Sequence, residues 1–176
     1  MITEQEKTLK ALRIAVQMEI DGKEYYLKTS QTSGSKMGEK LLHSLSKAED
    51  AHRQKFIDMY EAVRDKKAWP RTVLKPGTPK SLRTIFATAT RKMASNTKPL
   101  AGELDAVQIA MKMENKTFDF YTSQAAKATG STEKSFYQSI AAEEREHHTV
   151  LQNYYEFLKD PTGWFVKSEH PSLDGG

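Results

Sequence analysis

The chain has no cysteine among its 176 residues. Disulfides, thiolate metal sites, iron–sulfur clusters and a thiol nucleophile are thereby excluded, and any metal has to be held by His, Glu and Asp. No run approaches the roughly 20 apolar residues that a membrane span needs. The opening stretch Met1–Lys7 leads directly into an amphipathic pattern and lacks the apolar segment of a secretory signal. A cytoplasmic chain without membrane contact is the expectation. Sustained alternation of apolar and polar residues is also missing, which argues against strands. What remains is a chain with 38% hydrophobic and 28% charged residues, close to globular averages and of a length that suits one domain.

Acidic residues are absent from one long stretch. Between Lys66 and Gly102 there are nine basic residues (Lys66, Lys67, Arg71, Lys75, Lys80, Arg83, Arg91, Lys92, Lys98) and no acid, although the whole chain carries only +4. The rest of the sequence therefore holds 18 basic against 23 acidic residues, a net −5. Such a basic middle on an acidic body reads first as a solvated connection and second as a surface that steers an acidic partner. Nucleic acid is not expected, because the remainder is acidic and no recognition motif is present.

Four long segments follow helical periodicity, so the fold class is all-α. The first helix is expected from a capping box, Thr3 with Glu6, to about Thr29. Gly34 and Ser35 turn the chain into the second, about Lys36 to Lys66, which gives way at Trp69-Pro70. A long crossover follows over about 67–100, with a short helix expected from Ser81 to Met93 between the breakers Pro76-Gly77-Thr78-Pro79 and Ser95-Asn96-Thr97-Lys98-Pro99. The third helix is expected over about Leu100 to Ala128. Gly130 and Ser131 open the fourth, which stops before Pro161. The bundle thus spans 1–160, and 161–176 is an irregular tail whose Trp164-Phe165-Val166 could dock on it.

Written as heptads, the inner seams carry polar residues where apolar ones belong. Helix two reads Leu42, Leu45, Glu49, His52, Phe56, Met59, Val63, and helix four reads Tyr137, Ile140, Glu144, His147, Leu151, Tyr154, Leu158. Helix one reads Leu9, Leu12, Val16, Glu19, Lys23, Tyr26, and helix three reads Leu104, Val107, Met111, Glu114, Phe118, Tyr121, Ala125. Lys23 is out of keeping with its counterpart Phe118; it either snorkels outward or the seam drifts to Gly22.

The pattern is also a repeat. An offset of 95 carries Glu19, Glu49 and His52 onto Glu114, Glu144 and His147, and carries Ala15, Met18 and Tyr26 onto Ala110, Met113 and Tyr121. Two such hairpins paired face to face bring four glutamates and two histidines to one level of the core. One unpaired buried carboxylate costs several kcal/mol, so four together call for counter-charge, which two divalent ions supply. Because side chains three apart lie one turn apart on the same helix face, the Glu and His of each Glu-x-x-His can reach the same ion. Oxygen and imidazole ligation suits iron or manganese, with zinc a contaminant.

Glu19, Glu49-Asp50-Ala51-His52, Glu114 and Glu144-Arg145-Glu146-His147, on four helices with a long crossover between the second and third, resemble the ferritin-like di-iron carboxylate proteins. The resemblance is closest to the rubrerythrin branch and covers about residues 5–160. It implies a ferritin-like four-helix bundle with two iron ions, for which manganese or zinc can substitute. Glu49 and Glu144 would bridge the ions, Glu19 and Glu114 would be terminal ligands, and His52 and His147 would give each ion one nitrogen. Tyr26 and Tyr121 would either orient the carboxylates as hydrogen-bond donors or simply fill the core. Glu143 and Glu146 flank the seam and are expected to face solvent, as are Asp21 and Glu24. His43, His148 and His170 are expected at the surface.

Two departures narrow what carries over. Full rubrerythrins have an additional glutamate one turn after the third-helix ligand, where this chain has Thr117, so a redox-linked shift of an iron is not expected. They also carry a cysteine-ligated electron relay, which this chain lacks, so electrons must come from an external donor, and the basic crossover is the expected dock for an acidic carrier. The implied activity is reduction of hydrogen peroxide or dioxygen, in a homodimer. A ferroxidase that handles iron as its substrate, and a bundle in which the metal is merely structural, are the alternatives.

Overall fold

In a computed structural model of the chain, residues 3–66, 69, 82–84, 87–88 and 101–164 are described. Four long helices account for most of them: α1 (Glu4–Gln31), α2 (Lys36–Arg64), α3 (Glu103–Lys127) and α4 (Ser131–Lys159). Among the described residues there is no strand and no helix long and apolar enough to cross a membrane. The all-α bundle expected from the sequence is the fold observed.

Each boundary has a local cause. At the start of α1 the expected capping box forms, with Glu6 N donating to Thr3 Oγ1 at 3.2 Å and Thr3 N donating to Glu6 Oε2 at 2.7 Å. α2 starts at a second side-chain cap, Ser35 Oγ accepting from Gly38 N at 3.0 Å. It ends at Arg64, two residues before the expected Lys66, whose φ of 57° is outside helical geometry. The third helix starts later than Leu100, because Gly102 at φ 85° occupies a left-handed conformation that only glycine adopts without strain.

α1 packs along α2 and α3 along α4, and the two hairpins then meet α1 to α3 and α2 to α4. Two apolar clusters fill the ends of the bundle. One joins Tyr26 of α1 to Leu41, Leu42 and Leu45 of α2, Val107 and Ala110 of α3, and Val150, Leu151 and Tyr154 of α4. The other joins Leu12 and Ala15 of α1 to Phe56 and Met59 of α2, Tyr121 and Ala125 of α3, and Phe136, Tyr137 and Ile140 of α4. The start of α2 therefore shares an end with the start of α3. Those two helices run parallel, and the chain has to return along the full bundle between them, roughly 38 Å for a 25-residue helix. That requirement accounts for the long crossover.

At the first end the helices approach closely. A Cβ on Gly38 would lie 2.0 Å from the Tyr154 hydroxyl and 2.2 Å from Ser33 Oγ, so nothing larger than glycine fits. Tyr154 and Ser33 both donate to Glu103, at 2.6 and 2.7 Å, which pins the α1–α2 turn to the start of α3. Of the crossover, Leu82 is buried in the first cluster and 82–84 and 87–88 are helical, as expected within Ser81–Met93. Trp69 packs on the second cluster, and the remaining crossover residues lie outside the described ones. The tail expected to be irregular is helical over 161–164, with Trp164 N donating to Asp160 O at 2.9 Å, because the chain turns again just past Asp160. Trp164 packs on the first cluster, while Phe165, Val166 and His170 lie outside the described residues.

Candidate metal centre

The two end clusters leave a polar layer between them. Glu19 and Glu114 come from α1 and α3, and a Glu and a His one turn apart come from each of α2 and α4: Glu49 with His52, and Glu144 with His147. None of the six is more than 4% exposed. They form two overlapping groups, Glu19–Glu49–His52–Glu144 and Glu49–Glu114–Glu144–His147, in each of which one ligating atom per residue lies within 4.8 Å of the others. Glu49 and Glu144 belong to both. The imidazoles stack across the approximate two-fold axis with centroids 5.5 Å apart and planes 17° apart.

The donor atoms aim at a common interior. His52 Nδ1 lies 2.9 Å from Glu144 Oε1 and 3.5 Å from Glu19 Oε2, and His147 Nδ1 lies 3.0 Å from Glu49 Oε1 and 3.6 Å from Glu114 Oε2. These contacts are close without the alignment of hydrogen bonds. As a result each of the six residues leaves one buried atom without a hydrogen-bond partner: Glu19 Oε2, Glu49 Oε1, His52 Nδ1, Glu114 Oε2, Glu144 Oε1 and His147 Nδ1. Buried polar atoms are nearly always satisfied, so six orphans facing one interior mark a place that could hold cations.

Without a metal, protons must supply the missing positive charge. Burial and the charges of Glu144, Glu19 and Glu114 push the Glu49 carboxyl well up, and burial with the charge of Glu144 raises Glu114 to about 7. Burial opposes a charged imidazole, but the carboxylates outweigh it. Contacts with Glu143, Glu144 and Glu19 push His52 well up, and Glu114 and Glu144 raise His147 to about 9. Glu19 goes the other way: against the opposing effect of burial, His52 holds its carboxyl below the usual range.

The remaining polar atoms are held from outside the cluster. Tyr26 donates to Glu114 Oε1 and Tyr121 donates to Glu19 Oε1. Each tyrosine therefore crosses to the glutamate of the other hairpin, seven residues beyond its own. Burial, then the facing glutamate, raises both phenols well above their ordinary pKa, so they stay protonated donors. Thr117 places its hydroxyl 2.9 Å from Glu144 Oε2, within donating reach.

Three expectations need correction. Glu143 does not face solvent: it is 7% exposed and its Oε2 lies 2.9 Å from His52 Nε2, with Lys55 Nζ donating to its other oxygen at 3.4 Å. Its orientation was hidden in the sequence because its partner stands on another helix. Glu146 is only half-exposed and pairs with Arg83 of the crossover. The seams of α1 and α3 run through Ala15–Glu19–Gly22–Tyr26 and Ala110–Glu114–Thr117–Tyr121, not through Val16 and Lys23 or Met111 and Phe118. Both i+3 and i+4 border a helical stripe, and in each helix the smaller residue, Gly22 or Thr117, is the one beside the neighbouring Glu49 or Glu144. A Cβ on Gly22 would stand 3.4 Å from Glu49 Cγ, whereas Lys23 turns out to Asp50 at 2.8 Å. Asp21, Glu24 and His43 are exposed as expected, and His148 is half-buried.

The family model described as Rubrerythrin matches residues 10–155, most of the chain and all of the clustered residues. Comparison with curated proteins and with solved structures returns no match.

Proposed function

The chain belongs to the rubrerythrin family, and on that premise we propose that it is a non-haem di-iron oxidoreductase that reduces hydrogen peroxide to water with electrons from an external donor. The observation that carries this reading is the set of six orphaned, buried ligand atoms in two groups that share Glu49 and Glu144. Four carboxylates and two imidazoles match a pair of divalent ions in charge and donor type, since hard oxygens with one nitrogen per ion suit iron or manganese. In this reading Glu49 and Glu144, which belong to both groups, would serve both ions, Glu19 and His52 would help to hold one, and Glu114 and His147 the other. A bound ferrous pair supplies two electrons, one from each ion.

The chain's own residues do the rest. Tyr26 and Tyr121 hold the non-bridging oxygens of Glu114 and Glu19, so each carboxylate presents its free oxygen inward. Glu143 fixes the ring of His52 from behind. Thr117 offers Glu144 a hydroxyl where an additional carboxylate would offer a ligand, so this position would hold Glu144 and not an ion. The packed clusters flank the site with apolar side chains, and the two protons consumed with each peroxide come from solvent and are passed on by protonatable groups of the site.

Anaerobic loading with ferrous iron, followed by separate titrations with hydrogen peroxide and with air, tests this reading. The expected result is two irons per chain and oxidation faster by peroxide than by air. Equal rates with uptake of many further irons would assign a ferroxidase instead, and binding without any oxidation would assign a structural metal.

A further inference from the structure

Each cluster tyrosine meets a half-buried ring of its own helix, Tyr26 meeting Tyr25 at 6.2 Å and Tyr121 meeting Phe120 at 5.7 Å, but the two ends of the bundle differ in the rings that the other helices and Trp69 bring. Tyr121, which donates to Glu19, stacks on Tyr137 with centroids 6.3 Å apart and planes 27° apart. Tyr137 in turn meets Trp69 at 6.2 Å. Trp69 stands just beyond α2, half-buried and therefore in contact with solvent, whereas Tyr137 and Tyr121 are at most 1% exposed. Two ring-to-ring steps thus join the protein surface to a carboxylate of the cluster. At the other end the 95-residue offset puts Leu42 where Tyr137 stands, Leu41 where Phe136 stands, and Leu151 where Phe56 stands.

Packing alone does not explain the aromatic end. The Tyr137 hydroxyl is buried without a hydrogen-bond partner, a cost that phenylalanine would avoid in the same volume. Phenylalanine is also the harder ring to oxidise. Trp69, Tyr137 and Tyr121 can each give up an electron and are consecutive along one line of rings from solvent to Glu19, whereas the half-buried ring that meets Tyr121 directly, at 5.7 Å, is the less oxidisable Phe120.

We propose that Trp69, Tyr137 and Tyr121 form a route that carries single electrons from a diffusible one-electron donor at the surface to the buried carboxylate–histidine cluster. The route rests on the redox function proposed above and supplies its missing input, because the chain has no cysteine to hold a metal-cluster relay. Reduction of one hydrogen peroxide to two waters consumes two electrons and two protons, so the route is used twice per turnover. In each passage Tyr121 gives one electron inward while its phenolic proton moves along the existing hydrogen bond to Glu19. An electron from Trp69, passed through Tyr137, refills Tyr121 and the proton returns to it. Tyr137 has no acceptor for its proton and so bridges without holding the charge. Trp69 releases its indole proton to water, and the external donor restores its electron with a proton from solvent.

Flash oxidation of the metal-free protein by a photogenerated one-electron oxidant in solution tests the route without any metal. Transient absorption and electron paramagnetic resonance then follow tryptophan and tyrosine radicals. A tryptophan radical should form first and give way to a tyrosyl component that Tyr121→Phe removes. Trp69→Phe should lose that component, and Trp164→Phe should retain it, with circular dichroism checking that each variant folds. Retention of the Tyr121 component at full yield in Trp69→Phe would overturn the proposal, as would a Trp69 radical that never passes inward. The ferrous titration described above is independent of this readout. Inward transfer in a protein that leaves peroxide untouched would sink the functional reading and leave the route standing.

Discussion

Each hairpin brings a matching set of two glutamates and one histidine to the same centre, yet the two surround their sets differently. Around Tyr26 the neighbours on α2 and α4 include Leu41, Leu42 and Leu151. Around Tyr121 the residues at the matching positions are Phe136, Tyr137 and Phe56, with Trp69 closing the cluster. His52 has Glu143 behind its ring, while the offset places Ala48 where a partner for His147 would stand. Thr117 touches Glu144, while its counterpart Gly22 leaves only space over Glu49. The repeated Glu and His set places equal numbers of buried donors from both halves at the centre, while the residues around those donors differ from one half to the other.

Removing a shared residue breaks the symmetric part of the comparison and has the largest effect. Glu49→Ala and Glu144→Ala should each abolish loading of the pair, taking metal content by elemental analysis from two irons per chain to less than one, and should lower turnover by about 100-fold or more, since even outer-shell changes cost 10–100-fold. Equal losses in the two variants are expected.

The next test sharpens the contrast between the ends. Phe56→Ala should cost about 3–5 kcal/mol of stability in urea unfolding, because a fully buried ring in contact with Tyr121 and Phe136 leaves a large cavity. Leu151→Ala should cost about 2–5 kcal/mol and sit lower within that range than its aromatic counterpart, because less volume is removed. A reversed order would show that the aromatic end is the softer one.

Glu143 allows the two metal positions to be told apart. Glu143→Ala should weaken metal affinity at the His52 position by about 10-fold to 100-fold and leave the His147 position near its original value, so that one-step titration isotherms become two-step. Uniform weakening of both steps would mean that Glu143 acts on the fold and not on His52.

The smallest expected effect is a slope with pH in the metal-free protein. His147, raised to about 9 by Glu114 and Glu144 against burial, adds stability that is full below about 6.5 and is lost as pH rises through 9. Glu114, raised to about 7 by burial and Glu144, binds its proton more tightly folded than unfolded, so stability also falls as pH rises from about 4.5 to 7. Metal-free melting temperature should therefore drop by a few degrees between pH 6 and 9, whereas metal affinity should rise over the same interval because each bound ion displaces protons. Thermal melts with and without ferrous iron check both signs.

Much of this molecule is legible from residue spacing. Periodicity places four helices, breakers such as Pro70 and Pro99 bound the crossover, and the 95-residue offset picks out the six residues that the fold brings together. Helix boundaries shift by a few residues where backbone geometry intervenes, as at Gly102. Glu143 and Glu103 were not legible. Each is a glutamate on a helix rich in charged residues, and only the approach of His52, or of Ser33 and Tyr154, makes it a buried acceptor.

By itself the sequence determined the all-α class, the doubled Glu-x-x-His pattern and the need for counter-charge, because helical period and chain offset are properties of a one-dimensional string. Only the tertiary structure decided which face of α1 and α3 turns inward, that each tyrosine serves the opposite hairpin's glutamate, and that one end carries a line of rings from Trp69 to Tyr121. Those outcomes depend on how closely helices far apart in sequence approach. That distance is set by the packed volume of Gly22, Gly38 and the facing core residues taken together.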